Sequence, residues 1–141
     1  MEPPGLERFV VAQDRYGTYA RALSELRAGK KQNHWMWFVF PQISGLGRSP
    51  MAYLYAISGA PEAQHYLEHR ILGPRLLEST QAVLDWSNRK SATAIFGTID
   101  AMKFRSSMTL FEVVGPAQPC LAEALEKFYD GRRDPAALAR L

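Results

Sequence analysis

The sequence predicts an all-α, compact multihelical domain of about seven helices with little or no sheet. Three observations predict it. Apolar residues recur three and four apart along most of the chain, the spacing that lines one face of a helix. Prolines stand where helices begin, at Pro50, Pro61, Pro74, Pro119 and Pro135, positions whose amides have no helical partner to lose. Stretches that alternate with period two are few and short, so any sheet would be minor.

Leu6, Phe9, Val10 and Gln13 open the first helical stripe, and Tyr19, Leu23 and Leu26 form a second that Gly29 stops. Asn33 reads as the N-cap of a short buried helix from His34 to Phe40, ended by Pro41. The apolar run from Trp35 to Phe40 suits a buried strand equally well, because periodicity cannot separate the two. Ser49 and Pro50 cap and open a segment that runs through Ile57 to Gly59. Pro61 starts the next helix, with Ala63, Tyr66 and Leu67 inward, and Pro74 opens another along Leu76, Leu77, Thr80, Val83 and Leu84. Ser91 and Thr98 read as further caps. The segment from Ile99 to Val114 carries Met102, Leu110, Phe111 and Val114, interrupted by Ser106, Ser107 and Thr109. Leu121, Ala124, Leu125 and Phe128 form the last long stripe, and Asp134 caps a terminal turn.

The 141 residues read as one domain, 1–141, with no repeat or linker. Apolar residues are 47% and charged residues 22%, which excludes a disordered chain. A net charge of +3 admits an anionic ligand but is too small to argue for nucleic acid. Acids interleave with the bases, Asp14 beside Arg15 and Glu25 near Arg27, which speaks further against it. Cys120 is the single cysteine, so no internal disulfide forms and a reducing cytosol is expected. The start, Met1 to Phe9, has neither the basic nor the apolar region of a signal peptide, and no run is long enough to span a membrane. A cytoplasmic protein is the expectation.

The chemistry concentrates between Lys30 and Ser49. Trp35, Trp37, Phe38 and Phe40 follow Lys30 and Lys31, with His34, Gln42 and Arg48 around them. A core segment does not need those three polar residues. A pocket for a flat or anionic ligand does, with a tryptophan to stack, His34 as acid or base and Gln42 to orient. The competing reading buries both tryptophans in the core. Gly45 to Pro50 leads into a helix start, where backbone amides and Arg48 suit a phosphate or carboxylate. The spacing matches neither phosphate-loop fingerprint, and a turn needing two glycines explains it as well.

Downstream, Asp100, Lys103, Arg105, Ser106, Ser107 and Thr109 put polar groups inside an apolar helix. Either small side chains allow a close helix crossing, or Lys103 acts on a group in a site. His65, Glu68 and His69 fit the inverted zinc-protease pattern H-x-x-E-H, for which Glu112 or Glu123 would have to supply a third ligand. Solvated histidines on an exposed face are the preferred reading, so no metal and no cofactor is expected. Cys120 sits at a helix start, where a thiol is either activated or simply a small buried hydrophobe.

The stretches Gly29 to Gln42, Gly45 to Ser49, Tyr66 to Leu76, Ile95 to Lys103 and Ser106 to Phe111 resemble the bacterial domain-of-unknown-function family eighteen-ten. The family is often labelled calpastatin, a label we set aside. The resemblance covers nearly the whole chain, and the His34-Trp-Met-Trp37 segment is its specific part. It implies a mostly helical single domain without assigned chemistry; Arg70 departs from it, standing where the family has a proline. A looser similarity to the NAD- and ADP-ribose-associated family that includes riboflavin-pathway N-glycosidases implies a nucleotide-derived ligand, with no catalytic residue carried over.

The expectation is a domain that binds or processes a small anionic, nucleotide-like ligand, or alternatively a non-catalytic protein-interaction module. Trp35 or Trp37 stacks the ring, and Arg48, Arg75 and Lys103 hold the anion. Gln42, Asp100, Ser106 and Ser107 complete the site, and His34 and Lys103 are the catalytic candidates. Elemental analysis of protein purified without affinity-tag metal should find no stoichiometric zinc; about one zinc per chain would restore the H-x-x-E-H reading.

Overall fold

The fold is mostly α-helical, as the spacing predicts. The computed structural model describes residues 5–141; Met1 to Pro4, part of the segment read above for a signal peptide, lie outside the described residues. In order come α1 (Glu7–Asp14), a 3-10 turn (Arg15–Gly17), α2 (Thr18–Arg27), α3 (Met36–Val39) and α4 (Pro50–Leu54). Then follow α5 (Ala60–Glu68), α6 (Leu72–Leu84), α7 (Ala92–Phe96), α8 (Thr98–Val114), α9 (Pro119–Tyr129) and α10 (Pro135–Leu138). The described residues form ten α-helices against the expected seven or so, and four of them, α3, α4, α7 and α10, are pieces of about one turn. No helix among the described residues is long and apolar enough to cross a membrane.

Local caps decide most of the boundaries. Ser49 Oγ accepts the Ala52 amide at 3.1 Å, Ser91 Oγ the Ala94 amide at 3.0 Å, and Asp134 the Ala136 amide at 3.0 Å. Each satisfies a first-turn donor that has no helical partner. Thr98 does not cap; it is the first residue of α8, behind Gly97. α6 begins at Leu72, ahead of Pro74, because His69 Nδ1 accepts the Ile71 and Leu72 amides at 3.1 and 3.2 Å. That bond commits His69 to a structural task. His65 is exposed, and no group of three His, Cys, Asp or Glu able to hold a metal forms among the described residues.

The aromatic run is neither a full helix nor a strand. Trp35 and Phe40 have extended φ values of −127° and −125°, and only Met36–Val39 closes a turn. α4 stops at Leu54 rather than Ile57 because Ile57 pairs with the Ile43 segment in an isolated parallel bridge. Ile57 N donates to Gln42 O at 2.9 Å and Ser44 N to Ile57 O at 2.8 Å. The loop that carries Gln42 is thereby tied to the end of α4.

α8 is the axis of the core and packs against α5, α7, α9 and α10. Phe104, fully buried on it, meets Phe40 edge-on and stacks on Phe96, each at 4.9 Å between centroids. Such pairs add about 0.5–1.5 kcal/mol beyond area burial. On the other side, Gln13 is buried and ties three elements. Its amide donates to Phe38 O at 2.7 Å and to the Tyr66 hydroxyl at 3.2 Å, and its oxygen accepts from Arg75 at 3.1 Å.

The loop between α2 and α3 hangs on one carboxylate. Glu25 accepts the Gln32 amide at 2.7 Å, the Asn33 amide at 3.0 Å, the Asn33 side chain at 2.6 Å and Trp35 Nε1 at 2.9 Å. Asn33 therefore does not cap α3, as the sequence suggested; its side chain is spent on Glu25. Burial alone would push the Glu25 carboxyl up. The bonds from Gln32, Asn33 and Trp35 together outweigh it and hold the pKa below the ordinary 4.5. The sign follows: a carboxyl with a depressed folded pKa stabilises fully above about pH 4.5 and loses that contribution as pH falls through its folded value. Glu25→Gln should destabilise the protein by about 1–3 kcal/mol near neutrality. It should also flatten part of the stability loss below pH 4.5, as read by urea melts across pH. An unchanged acid limb would mean that Glu25 does not carry this linkage.

Candidate functional site

The 17 residues of α8 sort into three faces. Ala101, Phe104, Met108 and Phe111 enter the core. Arg105, Thr109 and Glu112, with Ser106 beside them, form a polar seam that receives the chain ahead of α10. Arg105 donates to the carbonyls of Arg132 and Arg133 at 2.7 and 2.8 Å, and Thr109 Oγ1 accepts the Asp134 amide at 2.9 Å. Glu112 takes Arg133 in a two-bond fork at 2.8 and 3.0 Å, and Ser106 donates to Asp134 Oδ2. The fork holds the Glu112 carboxyl below its usual range. These interruptions of the apolar pattern are therefore sockets for residues 132–134.

The third face, Ile99, Met102, Lys103 and Ser106, follows positions i, i+3, i+4 and i+7 and forms one wall of a cleft. The opposite wall is the loop from Gln42 to Ala52, with Leu46, Arg48 and Ser49, and Asp134 and Ala136 close one end. The cleft measures about 530 Å³, within the range of small-molecule sites. A smaller void of about 10 Å³ lies alongside, lined in part by Trp37, Gln42 and Tyr55. The loop's path needs Gly45: its φ is +98°, and the Arg140 guanidinium lies 2.2 Å from where a Cβ would go.

Three polar side chains in this cleft are uncommitted. Gln42 and Arg48 make no side-chain hydrogen bond among the described residues. Lys103 has only a 3.8 Å approach to Asp100 and a position 5.1 Å over the Trp37 ring. A cation–π contact at such a site is worth about 0.5–1 kcal/mol, too little to hold a lysine against a ligand. Asp100 itself belongs mainly to Lys31, whose ammonium sits 2.8 Å away with only 8% of its side chain exposed. Trp37 Nε1 is buried without a partner. By contrast, in the open concavity lined by Arg89, Lys90 and Lys127, two of the cations are used internally: Arg89 bonds Asp85 O, Lys90 bonds Gly29 O, and both lie over Trp86.

The residues singled out in the sequence separate accordingly. Gln42, Arg48, Lys103 and Ser106 line the cleft, and Trp37 lies under Lys103. Trp35 does not stack a ligand: it is 1% exposed and its indole donor is taken by Glu25. Arg75 lies elsewhere, paired with Asp14 at 2.8 Å, bonded to Gln13 and set 4.9 Å over Tyr19. Ser107 is fully buried on α8, its hydroxyl without a partner. Asp100 is held by Lys31 outside the cleft lining, and His34 is exposed and is not among the lining residues either. Of the backbone amides expected to bind anions after Gly45 to Ser49, that of Ala52 is used, since it donates to Ser49 Oγ. Cys120 is half-buried, and burial raises its thiol pKa, the reverse of activation. Reasoning from sequence missed Asp134 as a cleft residue; its only local signal, the cap before Pro135, pointed to a helix start.

Comparison with known proteins adds the family but no activity. The family model described as "Protein of unknown function (DUF1810)" matches residues 3–141. The chain is similar to the conserved hypothetical protein Rv1873 from Mycobacterium tuberculosis, known from a crystal structure. The two are 47% identical over 99% of this chain and 98% of that one, with a TM-score of 0.93. No curated protein matches.

Proposed function

The chain belongs to the DUF1810 family, whose description assigns no reaction, and from that premise we propose that the α8 cleft binds a small anionic, nucleotide-like molecule. One observation carries this reading. Gln42 and Arg48 on one loop and Lys103 on α8 meet across one cleft with their polar groups unspent. Arg48 is exposed and Gln42 and Lys103 are partly exposed, so water alone holds their polar groups, and a ligand can replace that water without breaking a bond inside the protein. Arg48 and Lys103 supply the positive charge, and the Gln42 amide can donate and accept at a ring edge. Leu46, Ile99 and Met102 give the apolar surface for a flat group. NAD- or ADP-ribose-derived molecules fit this description. His34 takes no part, and the reading is one of recognition, not of a reaction.

A second reading rests on Ile99 and Met102, which are 71% and 67% exposed at the cleft mouth. Large apolar side chains held in water also suit a protein partner, the interaction-module alternative.

Calorimetric titration with AMP, ADP and ADP-ribose separates the two. Lys103→Ala and Arg48→Ala should each weaken the nucleotide by about 1–3 kcal/mol while the melting temperature holds. Arg75→Ala should lower stability and leave the affinity alone. Should none of the three nucleotides bind, and Ile99→Ser with Met102→Ser leave the protein more soluble, the module reading wins.

A further inference from the structure

We propose that the ligand of this cleft carries a vicinal sugar diol beside its anion, and that Asp134 recognises that diol. This rests on the nucleotide reading above and narrows it to ribosyl ligands. The starting point is a mismatch: a cleft built only for anions would not contain a carboxylate, yet Asp134 lines this one together with Arg48 and Lys103.

Nor is Asp134 there by accident of a loose tail. Its amide donates to Thr109 and its Oδ1 accepts from Ala136, while Ser106 donates to Oδ2. The residue before it is clamped by Glu112 and Arg105. The side chain is thus held from both ends. An ionised carboxylate offers roughly four acceptor sites, and two are occupied. Two remain on a rigid group in the cleft wall. The ligand must bring hydrogen-bond donors to that wall.

Three kinds of donor come with small nucleotide-like anions, an ammonium group, a base N–H or hydroxyls, and the Gln42 amide already offers the base edge an acceptor. An ammonium would lie in a cleft that already holds the cations of Arg48 and Lys103. Neutral hydroxyls meet no such repulsion, and two adjacent ones can share a carboxylate, a recurrent way of holding a ribose. Ser106 adds a hydroxyl at the same place. The apolar wall of Leu46 and Met102 remains for the base, so phosphate, ribose and base each have a counterpart.

The test is calorimetric titration of the whole protein with AMP and with 2′,3′-dideoxy-AMP, for the wild type and Asp134→Asn. Asparagine caps a helix as well as aspartate does, so α10 keeps its start. The expected result is that the wild type binds AMP at least tenfold more tightly than the dideoxy analogue. Asp134→Asn should pull AMP to the analogue's level without weakening the analogue. Equal wild-type affinities, or an Asp134→Asn loss shared by both nucleotides, would overturn the diol while leaving the nucleotide cleft standing. If neither nucleotide binds the wild type, both readings fall. If Asp134→Asn does not fold, Asp134→Ser, which also caps a helix, takes its place with the same expected outcomes.

Discussion

The Glu25 carboxylate is the constraint on which the arrangement around the aromatic run depends. A loop that carries its own amides into a half-buried position must find acceptors for them. One carboxylate on α2 takes four donors of the loop, two backbone amides, one side-chain amide and one indole, while the Lys31 amide goes to Ile95 O. With Trp35 anchored inward by its nitrogen, the two residues that follow cannot choose their direction. Met36 is buried and Trp37 is left half-buried, with Lys103 over its ring. The division between a tryptophan of the core and a tryptophan beneath the cleft's lysine therefore starts at a helix residue ten positions upstream.

A second constraint comes from α8. Its polar seam holds residues 132–134 by side chains spaced as one helical face, and the adjoining face makes the cleft wall. One rigid helix thus positions Lys103 and Asp134 together, the first directly and the second through its sockets. The fork between Glu112 and Arg133 has the geometry that makes an ion pair count, two parallel bonds, whereas Lys103 and Asp100 at 3.8 Å do not. The helix spends its strong interactions on construction and leaves a weak one at the cleft.

How much of this could be read from the chain follows from the distances over which each feature is decided. The caps at Ser49, Ser91 and Asp134 act within three residues, so they were legible, and the helical class with them. The tie from Glu25 to Asn33 bridges eight residues, and the chain offered Asn33 only as a cap. The seam on α8 joins residues 21 to 28 apart, and so Ser106 and Thr109 looked like interruptions without a purpose. Arg75 looked like any other cation until Asp14 and Gln13, far off in sequence, claimed it. Trp35 and Trp37 differ only in what surrounds them, which residue type does not encode. Of the candidate site, Gln42, Arg48, Lys103 and Ser106 were chosen for charge or polarity in an apolar setting, and the cleft is where those four meet.

The position of Lys103 over Trp37 gives the molecule an optical property. Its three tryptophans are in three different electrical settings: Trp35 faces a carboxylate and lies under Lys31, which Asp100 holds, Trp86 lies under Arg89 and Lys90, and Trp37 under Lys103 alone. The colour of indole emission follows the field across the ring, and only Trp37's field is set by a charge that is free to leave. Whatever draws the Lys103 ammonium away changes one emitter and spares the other two. A ligand of the proposed kind would thereby register in the protein's own fluorescence, with no label attached.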